Sequence, residues 1–382
     1  MLSRLLSHRW VQVVLLLSLL AGAVALRLQD PPAIERLRHL TFDAYNKAMP
    51  RVAQDDTLII DIDEASIRAI GQWPWPRTQM AALTDKLAAM GAQAIVFDVV
   101  LAETDRTSPP VIAAQLSADA KSVADGLARL PDHDALFAQS ISTAGNVVMG
   151  FVGANQVTGR DPLLLARMLN TGQQPDAARF VRGLRNFTTN LPQLTEAAAG
   201  NGSFTPLVEN DGIVRRLPLL IGLEKNSDGV AEAVYPALAL EAVRVALGKK
   251  VLTITSHGVD NPAGLGIQSI AVGDRRVPTD ETGGIWVYYT GHRPELYVPA
   301  LSVLDGSIDA ARVKDKIVFV GTSAIGLLDL RATPFKTDTP GVEIHAEMAE
   351  QIMHGPVLQR PGLLIGAEMI ATLPGSLAII FL

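Results

Sequence analysis

TQMAALTDKLAAMGAQAIVFDVV, residues 78–100, puts a helix, a stop and a strand in one line. Met80, Leu83, Leu87 and Met90 recur at helical spacing, and Gly91 ends the run where a helix needs a residue free to turn left-handed. AIVFDVV then reads as a short strand buried on both faces. Upstream, TLIID at residues 57–61 is a second apolar run of the same type. Strand, helix, strand makes a βαβ unit, which predicts parallel strands with a right-handed crossover.

The pattern recurs along the chain. DALFAQSISTAG (134–145) reads as a helix and NVVMGFVG (146–153) as the strand after it. Residues 154–190 are polar and irregular, the mark of an insertion or long surface loop. GNGSFTPLVENDGIVRRLPLLIGL (200–223) reads as two strands joined by a turn at Asp211 and Gly212. YPALALEAVRVALG (235–248) has a helix's early proline and late glycine. VLTITS (251–256), IAVGDRRVPTD (270–280) and GIWVYY (284–289) read as antiparallel strands. KIVFVG (316–321) returns to the buried-strand type, and PGVEIHAEMAEQIMHG (340–355) is a last helix. The fold class is therefore α/β: a mixed sheet with a parallel βαβ core and antiparallel strands in the middle third.

Both ends of the sequence are apolar. WVQVVLLLSLLAGAVAL (10–26) carries no charge and follows Arg4, His8 and Arg9; residues 362–382 are apolar apart from Glu368. A bilayer core asks for about 20 such residues. The first segment also has the basic flank and apolar centre of a signal peptide, with Ala21, Ala23 and Ala25 near its end. The second apolar segment favours an uncleaved anchor. The basic flank keeps residues 1–9 cytoplasmic. The expected organisation is a transmembrane helix over 10–26, an external domain over 27–361 and the start of a second transmembrane region over 362–382. AIERLRHLTFDAYNKAM (33–49), with Ile34, Leu37, Thr41, Tyr45 and Met49 on one face, is expected to rise from the anchor as an amphipathic helix. Because the sequence stops inside an apolar run, it is expected to be one piece of a longer protein. A net charge of −6 without a basic tract argues against nucleic acid as a partner, and the absence of cysteine excludes a disulfide scaffold or thiolate metal site.

Candidate chemistry gathers at strand ends. Asp61 and Asp98 each close an apolar run, with Asp63, Glu64 and Glu103 close behind, and parallel sheets bind ligands beyond the carboxyl ends of their strands. Clustered carboxylates there suit a hard divalent cation or a polar ligand. The competing reading makes Asp61 and Asp63 helix caps and pairs Asp98 with Arg77. WPWPR (73–77) offers two indoles, Trp73 and Trp75, on a proline-stiffened backbone ending in Arg77. They either contact a ligand or close the sheet edge. GTSAIG (321–326) could form an anion-binding turn but has Leu327 where a phosphate-binding loop needs lysine. Asp329 and Arg331, in the loop beyond, are placed to join the same edge. His345 and His354 lack zinc-protease spacing, so a solvated helix face is expected there, and no nucleophile or triad signature is present. No catalytic residue, cofactor or metal ligand set is assigned from the sequence.

Taken in order, DIDEASIRAIGQWPWPR, GAQAIVFDVVLAE, DGIVRRLPLL, YPALALEAVR, GTSAIGLLDLRATP and PGVEIHAEM make the chain resemble the CHASE2 domain over residues 42–360. CHASE2 domains are extracytoplasmic sensory modules of bacterial signalling proteins. The resemblance implies an inner-membrane protein with one transmembrane helix before the domain. Typically three helices follow it, then a cytoplasmic adenylate or guanylate cyclase, histidine kinase, kinase or diguanylate cyclase. An adenylate or guanylate cyclase is the first expectation, and since class III cyclases need two catalytic domains it implies a homodimer. It implies no particular ligand. Two other functions stand beside it: an external metal-dependent hydrolase on the carboxylate edge, and a ligand-free dimerisation module. The orientation is directly testable. A membrane-impermeant thiol reagent should label Asn186→Cys and spare Ser3→Cys; the reverse pattern refutes the reading.

Overall fold

A computed structural model of the chain describes residues 14, 17–18, 21–22, 32–154, 160–172, 176–206, 208–224, 226–258, 265–324, 327, 329–355 and 357–358. The expected membrane segments, 10–26 and 362–382, lie outside the described residues except for five helical positions in the first. Among the described residues no helix is long and apolar enough to cross a membrane. The chain divides into two units, residues 1–49 with 359–382, and residues 50–358. The first contributes helix α1, Pro32–Ala48. The expected apolar stripe is not its buried side: Leu37, Tyr45 and Met49 are exposed, whereas His39, Asp43 and Asn46 are buried.

The second unit is built on one sheet. Its strands in chain order are β1 (Thr57–Asp61), β2 (Ala94–Phe97), β3 (Val147–Ala154), β4 (Asn186–Thr188), β5 (Gly200–Ser203), β6 (Tyr297–Pro299) and β7 (Ile317–Gly321). Across the sheet the order is β6-β1-β7-β2-β3, and β3 also pairs with β5 and with β4. Only β4 runs antiparallel. The predicted parallel strands are therefore present and share a sheet. However, β1 and β2 are not neighbours, because β7 lies between them and pairs with both.

Residues alternate along each strand between two apolar layers, as expected of a sheet covered on both faces. Leu58, Ile60, Ile95, Phe97, Val318 and Val320 face one core. Helices α2 (Glu64–Ile70), α3 (Arg77–Ala89) and α4 (His133–Ala144) lie on that side, where α3 gives Met80, Leu83 and Leu87 and α4 gives Phe137 and Ile141. Ile59, Val96, Ile317 and Phe319 face the other core, beneath α5 (Leu238–Ala246) and α6 (Gly341–His354).

The middle third does supply antiparallel pairing, but not as the predicted hairpin. Residues 200–203 join the main sheet as β5, Arg216–Pro218 pairs with Gly284–Trp286, and Leu220–Leu223 pairs with Val234–Pro236. Val251–His257, Gly266–Val272 and Arg275–Pro278 form an antiparallel set. The stretch read as an irregular insertion supplies Arg167–Thr171, parallel to Val251–His257, and β4.

Helix α6 also departs from expectation. Every residue from Gly341 to Met353 is buried, so it has no solvated face. Its start sits against the end of β7 so closely that a Cβ on Gly321 would meet the Val342 side chain at 2.7 Å. Glycine at 321 thus lets the helix N-terminus reach the carboxyl edge of the sheet.

Candidate functional site

That edge carries the acids singled out in the sequence, and each has its own environment. Asp61 ends β1 and accepts hydrogen bonds from the Ser323 N–H (2.9 Å) and hydroxyl (2.6 Å). Burial nevertheless raises its pKa, and Asp63 and Glu64 add to the rise. Asp61 is therefore not a helix cap. Asp63 is one: its carboxylate accepts from Ser66 N–H at 2.8 Å and starts α2. Glu64 is exposed in the first turn of that helix.

Asp98 follows β2 and donates its backbone N–H to Val320 of β7 at 2.9 Å. Its side chain is buried and Oδ1 has no hydrogen-bond partner. Burial, reinforced by the negative charge of Asp329 and only partly offset by Arg331, pushes its pKa well up. The expected Asp98–Arg77 pair is not formed. Arg77 instead sends Nε to Asp134 (3.1 Å), its backbone N–H to Asp105 (2.7 Å) and Nη2 to the carbonyl of Glu103 (2.9 Å). Asp105 in turn contacts His133 Nδ1 at 3.1 Å. Sequence gave no sign of Asp105 and Asp134 as partners, because they are 28 and 57 residues away from Arg77.

The WPWPR turn belongs with this ion pair. Trp75 is buried and donates Nε1–H to the Gly71 carbonyl at 2.9 Å, and half-buried Trp73 meets it edge-on with centroids 5.4 Å apart. The carboxylate of Glu103 is not drawn in: the residue is exposed and contributes its carbonyl. Both indoles and Arg77 thus close the start of α3.

Asp329 and Arg331 do come to the edge. Residues 330–331 pair with 339–340 as a short antiparallel ladder that leads into α6. Arg331 Nη2 lies 2.8 Å from Asp329 Oδ1, and both side chains are about one-third exposed. The Asp329 carbonyl accepts from Gly341 N–H at 2.8 Å, and its carboxylate rests on the space a Gly341 side chain would fill. An acid there faces the positive end of the α6 dipole. One turn further on stands His345, which sequence reasoning set aside. Phe204, Asp329, Arg331, Gly341, Ile344 and His345 line a cavity of about 20 Å³. His345 is buried, its Nδ1 has no partner, and burial lowers its pKa to about 4. Its spacing of four from Gly341, on a helix starting at a sheet edge, was the one available clue. Among the described residues, no three acids or histidines of this edge hold ligand atoms close enough to share a metal ion.

Further along α6, three glutamates are buried and answered. Glu343 accepts from Tyr297 Oη at 2.5 Å. Glu347 accepts from Arg51 Nη2 at 2.6 Å and from the Thr290 hydroxyl. Glu350 pairs with Arg293 at 2.9 Å and Arg51 at 3.2 Å, and accepts from Thr57 at 2.9 Å. Among the described residues, this edge gathers carboxyl, guanidinium and imidazole groups at the N-terminus of α6.

Two measurements follow from these environments. Arg77→Ala leaves Asp134 buried and unpaired, so the unfolding free energy should fall by about 3–5 kcal/mol in denaturant titration. His345 ionises near 6.5 when unfolded but near 4 when folded, so the folded state binds fewer protons between those values. Stability should therefore rise with pH across that window and be fully present above it, a difference of ~3 kcal/mol. Asp98 has the opposite sign: its contribution is complete below 3.8 and is lost as pH climbs through the raised folded value. Melting temperature against pH should lose the rise between about 4 and 6.5 in His345→Gln, and fall less steeply above 3.8 in Asp98→Asn.

The family model described as CHASE2 domain matches residues 14–381. No curated protein and no solved structure matches the chain. CHASE2 is a family of sensory, extracytoplasmic-type domains, and with nearly its whole length matched the chain belongs to that family.

Proposed function

We propose that residues 50–358 are the extracytoplasmic input region of a bacterial inner-membrane signalling protein, with an adenylate or guanylate cyclase as output and a homodimer as the working state. Family membership supports the sensory part of this reading. The observation that carries the transmission part is the buried ion-pair cluster on α6.

Arg51 is the second residue of the unit, three residues after the end of α1, and α6 ends four residues before the unit does. Arg51 bonds to Glu347 and Glu350, and His354 Nε2 lies 2.7 Å from Asp56. The two junctions where the chain enters and leaves the unit are thus fastened to one helix. The other end of that helix lies at the ligand-type edge of the sheet. A cue can act only by binding two conformations differently. Here the conformations would differ in the pose of α6, and both junctions would register it.

Removing Arg51 alone would strand the buried charge of Glu347, while Glu350 keeps Arg293, and cost about 3–5 kcal/mol. The useful variant is Arg51→Met with Glu347→Gln, which discharges the pair together. In the full-length parent protein its melting temperature should stay close to wild type while basal second-messenger output changes at least about fivefold, the effect of ~1 kcal/mol in a two-state balance. Wild-type output from the folded double variant would overturn the coupling.

A further inference from the structure

The edge described above is built for a ligand of one kind. Asp98 Oδ1 and His345 Nδ1 are both buried without partners, and His345 lines the cavity at the start of α6. A buried polar atom left unsatisfied costs about 1–3 kcal/mol, so two such groups, each feeling the charges of Asp329 and Arg331, are not a neutral feature. The groups around them can all act as donors. Arg331 carries a fixed positive charge, the first turn of α6 has N–H groups with no helical acceptor, an imidazole protonated at Nδ1 donates, and burial favours the protonated, donating form of the Asp98 carboxyl. The one acceptor among them is the carboxylate of Asp329, paired with Arg331 and seated against Gly341.

We propose that this cavity is the binding site for a small monocarboxylate, and that the Asp329 side chain is its built-in occupant. The ligand carboxylate would take the place of Asp329 at the helix N-terminus and on Arg331, and would also reach the unpaired atoms of Asp98 and His345. A helix N-terminus favours an anion by both its dipole and its free N–H groups. The backbone of Asp329 is held independently by the 330–331 ladder and by Gly341 N–H, so rotation of its side chain alone clears the position. Size follows from the walls. A cavity of about 20 Å³ holds roughly one water, and the departing carboxylate adds space for a group of its own size. Phe204, Pro206, Val214, Leu217 and Ile344 form the apolar remainder, which suits a short hydrocarbon tail and disfavours phosphate or sulfate. The inference rests on the sensory reading for its use, and on these residues alone for its chemistry.

Acetate is the probe. It is titrated into the full chain in detergent at constant ionic strength, and the ring nitrogen signal of His345 is followed. That signal is identified among the seven histidines by its loss in His345→Gln. A saturable shift is expected. Asp329→Asn should lower the half-saturating concentration about tenfold, since an occupant filling the site nine-tenths of the time reduces apparent affinity by that factor. Arg331→Ala should abolish the shift, and phosphate should produce none. If Asp329→Asn does not fold, Asp329→Ser is the second route, because it removes the same carboxylate; Gly341→Ala, whose Cβ fills that place, should abolish the shift. No saturable shift in wild type and in either releasing variant means a site that holds water only, and overturns the proposal. So does a shift that survives in Arg331→Ala. Absence of binding alongside Arg51-dependent output would sink this inference and leave the sensory reading standing. Binding without any Arg51-dependent output would do the reverse.

Discussion

Burying a helix that carries Glu343, Glu347 and Glu350 is the constraint on which the second unit is organised. A carboxylate withdrawn from water is costly unless paired and hydrogen-bonded. The chain answers with groups from distant places: Arg51 before the first strand, Thr57 within it, Thr290 and Arg293 before β6, and Tyr297 at its start. Satisfying one helix therefore draws together the beginning, the middle and the end of residues 50–358. Such pairs add little net stability over an apolar replacement, but they strongly penalise any arrangement that separates them. They specify where α6 sits.

The same placement creates the candidate site. With α6 held down and Gly321 admitting Val342, the helix N-terminus meets the strand ends that carry Asp61 and Asp98. Asp329 is then at the positive end of the helix, and His345 is enclosed one turn below. One element thus bears both the unsatisfied His345 near the sheet edge and the ion pairs near the chain junctions. A rigid helix with two such ends moves as a unit, which gives the sensory reading of this CHASE2 domain a physical route.

Much of this was legible in advance wherever the signal was local. The helix of residues 77–89, the buried runs of β1, β2, β3 and β7, and the bounds of α6 follow from apolar spacing and glycine punctuation. The common edge of Asp61 and Asp98 follows from parallel topology. Reading failed where partners are far apart in sequence. Nothing near Arg77 points to Asp134, and nothing near His345 says that its helix is buried between the main sheet and the mid-chain strands. For the same reason residues 200–223 look like a hairpin: their apolar runs are real, but their pairing partners are strands elsewhere.

Sequence by itself determined the kind of elements, because helix and strand periodicity are properties of neighbours within a few residues. It also determined the family, because the order of several motifs survives without coordinates. Tertiary structure decided the sheet order, with β7 inserted between β1 and β2, and the pairing of every buried charge. It alone separated the acids that cap or brace from the one whose oxygen is left unanswered. That distinction depends on which groups from remote parts of the chain arrive within hydrogen-bonding distance, and hydrogen-bond range is a few ångströms of space with no counterpart in sequence separation.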